Sequence, residues 1–174
     1  VVRKEALKKN APCREISKNA YEIREVRPNY IAFSRQNAYD KDVMWRVTNC
    51  GCYQAMNTEI AVEAMEYILQ AGEDSSRTER WINAVAAVRW EGRMEEVEER
   101  LIVDGAHNPG AVEAFAETLQ MLGADQLEEP VLVFSAAADK KYEKMIEYLC
   151  RNVKAKAYIV TEIEDKRRVP ASEL

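Results

Sequence analysis

Leu101-Ile102-Val103-Asp104-Gly105-Ala106-His107-Asn108-Pro109-Gly110 is the stretch from which the rest of the chain can be read. Three apolar residues that stop at an aspartate read as a short strand. Asn108 followed by Pro109 reads as the start of a helix. An asparagine side chain caps exposed amides, and proline fits the first helical position, where no N–H is needed. Val112, Phe115, Ala116, Leu119 and Leu122 then fall on one stripe of that helix. Residues 104–109 therefore lie between the carboxyl end of a strand and the amino end of a helix. In open α/β sheets ligands bind at such ends, and the free amides and dipole of a helix start favour an anion there. Gly105 and Gly110 allow a tight turn or the close approach of a ligand.

Downstream the same alternation continues. Val131-Leu132-Val133-Phe134-Ser135 reads as a buried strand, Tyr142, Met145, Ile146 and Leu149 mark a helix, and Ala157-Tyr158-Ile159-Val160-Thr161 reads as another strand. Strand and helix alternating at these lengths predict an α/β domain with a mainly parallel sheet. Upstream the texture differs. Tyr21–Val26, Tyr30–Phe33 and Val43–Val47 predict an antiparallel meander, with a turn at Pro28-Asn29. A helix is predicted from about Asn57 to Ala71, capped by Asn57 or Thr58 and stopped by Gly72. Its inward stripe would be Ile60, Ala61, Ala64, Met65, Ile68 and Leu69. A second helix is predicted from Ser76, with Ser76 and Glu79 as a capping box and Trp81, Ile82, Val85 and Ala86 facing inward. The change of texture places a domain boundary near residues 87–92, giving domains 1–87 and 88–174. Residues 1–9 read as a helix tail without a start signal, and residues 169–174 as a helix beginning, which suits a fragment of something longer.

Bulk properties narrow the function. The 174 residues are 47% hydrophobic and 32% charged, enough to bury a real core. Thirty acids against 25 bases give a net charge of −5, which argues against a dedicated nucleic-acid binder. No apolar run has the length of a membrane span, and no signal peptide is evident. Cys13, Cys50, Cys52 and Cys150 form no disulfide framework, and Cys50 and Cys52 sit too close together for a zinc knuckle, so a reduced cytoplasmic setting is expected. No G-x-x-x-x-G-K-[ST] loop, no G-x-G-x-x-G after a strand and no nucleophile elbow occurs.

The chain's only histidine, His107, lies in the 104–109 loop beside an acid, a glycine turn and a helix start, which makes it a candidate for chemistry rather than simple packing. Trp90-Glu91-Gly92-Arg93-Met94-Glu95 sets an arginine beside a glycine, and a guanidinium suits phosphate because its planar fork donates two parallel hydrogen bonds. Gly51-Cys52-Tyr53-Gln54-Ala55-Met56-Asn57 leads polar groups into a helix.

Gly51-x-Tyr53-Gln54-x-x-Asn57-x-x-x-Ala61, Trp90-x-Gly92-Arg93-Met94-Glu95 and Asp104-Gly105-Ala106-His107-Asn108-Pro109, in this order and spacing, resemble folylpolyglutamate synthase, including its bifunctional dihydrofolate synthase form, in the Mur ligase superfamily. Phe134-Ser135 with Asp139-Lys140-x-Tyr142, and Arg167-x-x-Pro170-x-x-x-Leu174, add to the resemblance. Glu91 departs from the usual proline and Lys141 from the usual acid. The resemblance implies the tail of a Mur-type ATPase domain followed by a Rossmann-like C-terminal ligase domain. It also implies ATP in the cleft between them, Mg²⁺ ligands and a P-loop mostly outside this chain, and no catalysis by the chain alone. Folate, L-glutamate and ATP would be the partners, and the enzyme a monomer. Asn57 would sit by the adenine, Arg93 would reach the phosphates and Asp104 would accept from the ribose. His107, as base or as positioning group, would face the reacting centre with Asn108. A cell-wall peptide ligase of the Mur type and a non-catalytic α/β binding module are the rival readings.

Overall fold

A computed structural model describes residues 1–37, 40–69, 75–123 and 129–174, with the backbone alone for residues 75–77. The N-terminal helix α1 (Val2–Lys8) buries none of its side chains. The antiparallel meander follows as β1 (Tyr21–Arg27), β2 (Tyr30–Arg35) and β3 (Trp45–Thr48), with β2 in the centre. Alternation turns Ile31 and Phe33 onto one face, and they join Trp45 and Val47 in a shared apolar core. Helix α2 (Tyr53–Leu69) lies over this sheet, and α3 (Ser75–Ala87) packs on β3 through Trp81, Ile82 and Val85. Gly72 and the Ser76 side chain, the expected stop and cap, lie outside the described residues.

Helix α2 departs from expectation in two ways. It starts at Tyr53, so Asn57 and Thr58 lie inside it and cap nothing. Its buried residues are Gln54, Ala55, Thr58, Glu59 and Val62, whereas Ile60, Met65, Ile68 and Leu69 are exposed. The cause is Arg35, the last residue of β2, which is 1% exposed. Its guanidinium takes Glu59 in a two-pronged pair at 2.7 and 3.2 Å, and also bonds Asp40 at 2.9 Å, Glu63 at 3.0 Å and Glu66 at 3.0 Å. Glu59, Glu63 and Glu66 share one helix face by their spacing. A buried cation without partners is far costlier than an exposed leucine, so the acidic face turns inward. Burial works against the charge on Arg35, and the bonds from Glu59 and Glu66 more than offset it, leaving the guanidinium firmly protonated.

Beyond α3, β4 (Glu95–Glu98) pairs antiparallel with β5 (Leu101–Val103). Helix α4 (Pro109–Leu122), β6 (Val131–Phe134), α5 (Tyr142–Asn152) and β7 (Ala157–Val160) complete the order read from the sequence. The parallel ladder joins β6 to β7, and among the described residues β5 pairs with β4 instead of extending it. Strand β4 carries charge at three of four positions and so gives no strand signal in the sequence. The two apolar runs are covered on one face: Leu101, Val103, Val131 and Val133 stay exposed while Ile102, Leu132 and Phe134 pack inward. The expected stripe of α4 is the buried one, and it serves two cores. Val112 and Ala116 pack with Met145 and Leu149 of α5, while Leu122 packs with the meander. Residues 171–173 form a single turn after Pro170 rather than a helix. Val169 and Arg168 dock on Ala136 and Ala137, and Arg167 reaches Asp139, so the two supporting motifs of the sequence meet after β6. Among the described residues no helix is long and apolar enough to cross a membrane.

Arg35→Met is expected to lower stability by about 3–5 kcal/mol in urea unfolding, because it strands buried carboxylates. Burial holds the Glu63 carboxyl above the usual glutamate range, against the pull of Arg14 and Arg35. A raised carboxyl contributes stability that is full below its unfolded pKa and is lost as pH rises through the folded one. Glu63→Gln cannot titrate, so the stability of the parent relative to this variant should fall as pH rises above the ordinary glutamate range. A difference that grows with pH would contradict that assignment.

Candidate functional site

Asp104 directly follows β5, and its carboxylate is bound from three directions. Tyr53 Oη donates to Oδ2 at 2.8 Å and the Met94 amide to the same oxygen at 2.9 Å, while the Ala106 amide donates to Oδ1 at 2.7 Å. Two donors fill the acceptor positions of Oδ2, and Oδ1 keeps one. Burial, and then the Asp104 charge and hydrogen bond, push the Tyr53 phenol well above its ordinary range, so it remains a donor.

The segment before β4 is shaped by two left-handed residues, Gly92 at φ 65° and Met94 at φ 49°. Met94 has no glycine freedom, and this backbone costs about 1–2 kcal/mol. It is held because the Met94 side chain is fully buried, its amide binds Asp104 and its carbonyl accepts from Cys50. Gly105 donates to Gly92 O at 2.7 Å, and a Cβ at Gly105 would sit 3.3 Å from that oxygen. Arg93, set between Gly92 and Met94, faces the cleft with no hydrogen bond or ion pair to any described residue.

Asn108 caps α4, its Oδ1 accepting from the Ala111 amide at 3.0 Å, and Pro109 follows as read from the sequence. The cap alters one expectation. Ala111 N is taken by the Asn108 side chain, Val112 N by the Asn108 carbonyl, and Pro109 has none, so of these first amides Gly110 alone is left for an anion. His107 is exposed, and its Nδ1 lies 2.9 Å from the Gly105 carbonyl. A carbonyl only accepts, so Nδ1 carries the proton and Nε2 of the neutral ring is an acceptor.

All five residues picked from the sequence (Asn57, Arg93, Asp104, His107 and Asn108) line one cleft of about 370 Å³. Asn57 stands on the second turn of α2, where its Nδ2 donates to Gln54 Oε1 at 2.8 Å and leaves its own oxygen as an acceptor. The sequence reading passed over Tyr53 and Trp90, which also line the cleft. Trp90 is 60% exposed, and its carbonyl is held by Asn49 Nδ2 at 2.7 Å. Both stood inside quoted motifs, and a large aromatic beside polar loop residues was the available signal. Asp104 is the one carboxylate among the lining residues, and among the described residues no group of three His, Cys, Asp or Glu side chains could hold a metal ion. These residues do not fit a magnesium site by themselves.

The two cysteines read as unsuited to zinc have packing roles. Burial pushes the Cys50 thiol up to about 12, and its Sγ lies 3.5 Å from Met94 O. Cys52 binds Thr118 of α4 through its amide at 3.0 Å, tying the segment before α2 to α4. Asn108→Ala is expected to remove about 1 kcal/mol of stability by uncapping α4, measured by chemical denaturation.

Residues 92–174 match the family described as Mur ligase, glutamate ligase domain. The chain is 32% identical over 106 residues to the dihydrofolate synthase/folylpolyglutamate synthase of Bacillus subtilis (strain 168), a match covering 60% of this chain and 24% of that protein. The structure of E. coli FolC in complex with ADP, without folate substrate, superposes with a TM-score of 0.70 at 21% identity, over 99% of this chain and 39% of that one. The same protein with DHPP and ADP also gives 0.70, at 21% identity and covering 99% and 38%. At this identity the two superpositions speak for the fold. The chain spans about a quarter of the length of the Bacillus relative. In sequence and fold it is similar to the folylpolyglutamate synthases of the Mur ligase superfamily, and residues 92–174 match that superfamily's glutamate ligase domain.

Proposed function

We propose that this chain supplies part of the nucleotide site of a cytoplasmic ATP-dependent ligase that adds L-glutamate to the carboxylate of a folate. One observation carries the reading. Residues from three separated motifs, Asn57, Arg93 and Asp104 with His107 and Asn108, converge on one cleft with chemistry suited to a nucleoside triphosphate. Its volume of about 370 Å³ falls in the range of small-molecule pockets. The Asn57 oxygen can accept from the exocyclic amine of adenine. The open position on Asp104 Oδ1 can accept one ribose hydroxyl. Arg93, which makes no hydrogen bond or ion pair to a described residue, and the Gly110 amide offer donors to phosphate oxygens.

In this reaction a folate carboxylate oxygen attacks the γ-phosphorus, and the bond to the β-phosphate oxygen breaks, releasing ADP and an acyl phosphate. The glutamate amine then attacks the acyl carbon, phosphate leaves with the C–O bond electrons, and the nitrogen loses a proton. Arg93 offsets charge that grows on the phosphoryl oxygens, which is where fixed cations lower such barriers. His107 Nε2, with Nδ1 held by Gly105, is an acceptor for the amine proton. Asn108 has its oxygen committed to the helix cap, so its amide nitrogen is what it offers the reacting groups. Domains 1–87 and 88–174 would form opposite sides of the cleft. P-loop and Mg²⁺ chemistry would come from other parts of the full-length protein, and the chain alone would not turn over.

The test follows glutamate-dependent ADP release by the full-length protein with tetrahydrofolate, with a muramyl-nucleotide precursor and its amino acid as the control. Turnover with folate is expected. Turnover with the cell-wall precursor alone would move the protein to that sister activity, and nucleotide binding without turnover would favour a binding module. Arg93→Ala is expected to raise the KM for ATP at least tenfold with little change in melting temperature, since the guanidinium makes no hydrogen bond or ion pair to any described residue. Asp104→Ala should cost stability as well, because it leaves three donors without their acceptor.

A further inference from the structure

We propose that Tyr53 is a positioning residue of the nucleotide site, holding the Asp104 carboxylate so that the single open acceptor on Oδ1 faces the ribose. The proposal rests on the reading of the cleft given above. A carboxylate at a strand end can rotate about its last bonds, and a hydrogen bond to a ligand is weakened when that freedom must be frozen on binding. Here the Tyr53 hydroxyl and the Met94 amide hold Oδ2 at 2.8 and 2.9 Å, and the Ala106 amide holds Oδ1 at 2.7 Å. Two of these donors come from the carboxylate's own half of the chain. Tyr53 comes from the first turn of α2, 51 residues away, and joins the α2 wall to the Asp104 wall.

The segment before α2 is built to let the ring reach. A Cβ at Gly51 would fall 2.8 Å from Tyr53 Cζ, 2.9 Å from Cε1 and 3.1 Å from the hydroxyl oxygen. The ring therefore lies across Gly51, and any side chain there would push it from its place. This accounts for the Gly51-x-Tyr53 spacing, since the glycine makes room for the phenol and the phenol fixes the acid. The raised pKa of the phenol keeps it a donor through the neutral range. Tyr53 also lines the cleft beside Asn57, so its displacement would open the wall on the base side.

The experiment compares the full-length protein with its Tyr53→Phe, Gly51→Ala, Asp104→Asn and Tyr53→Phe/Asp104→Asn forms, measuring steady-state kinetics with ATP and with 2′-deoxyATP alongside thermal unfolding. Tyr53→Phe is expected to raise the KM for ATP about tenfold, more than it lowers kcat, as loss of one hydrogen bond to a charged group predicts. It should also reduce the preference for ATP over 2′-deoxyATP, and the double variant should show no further loss beyond Asp104→Asn. Gly51→Ala, which keeps the hydroxyl but displaces the ring, should reproduce the effect and covers the case in which Tyr53→Phe does not fold. A lower melting temperature with unchanged KM and unchanged ribose preference in both variants would overturn the proposal. If Arg93→Ala also leaves the KM for ATP unchanged, the nucleotide reading of the cleft falls, and the positioning role falls with it.

Discussion

The Asp104 carboxylate is where the two halves of this chain are tied. It receives a phenol from α2, an amide from the segment before β4 and an amide from its own loop. A charged acceptor for three donors holds each segment more firmly than neutral bonds would, and the half-buried setting raises the cost of breaking any one of them. Met94 can therefore keep a left-handed backbone, Gly105 can close on Gly92, and Arg93, set between Gly92 and Met94, faces the cleft with no hydrogen bond or ion pair to a described residue. The same constraint turns a motif of six residues into a site. It joins the strand end at 104 to the helix start at 108, and both to α2.

Packing supports that tie from below. Met94 is buried in the same core as Trp45, Phe33 and Leu122, so the residue that aims Arg93 is also a core residue. The Cys52 amide on Thr118 fixes the segment before α2 to α4, the helix whose first turn carries Asn108. On the far side of α2, Arg35 gathers Glu59, Glu63 and Glu66 and so sets the rotation of the helix. That rotation is what presents Tyr53 and Asn57 to the cleft. Electrostatics deep in the meander thus decide which side chains reach the site.

Much of this was legible in the sequence where local chemistry and tertiary demand agree. Asn108-Pro109 reads as a helix start and is one, the stripe of α4 is the buried stripe, and the meander lies where alternation put it. The reading failed where a distant residue overrides local pattern. Nothing within α2 tells that its acidic face is the inner one, because the reason is Arg35, on another element. Strand β4 was invisible for a related cause, since its four residues gain a partner in β5 without any apolar alternation of their own. The five candidate residues were chosen through motif order, and their convergence on one cleft is a three-dimensional fact that spacing alone does not contain. Tyr53 was missed because its role depends on Asp104, 51 residues further on.

The roles proposed for this cleft depend most directly on where a nucleotide sits. A crystal structure of the full-length protein with ADP is the measurement that tests them. The base is expected beside Asn57, a ribose hydroxyl on Asp104 Oδ1 with the Tyr53 bond intact, and the diphosphate at Arg93 and the start of α4. ADP bound away from this cleft, or within it with Arg93 turned from the phosphates, would contradict the assignment of the cleft to the nucleotide.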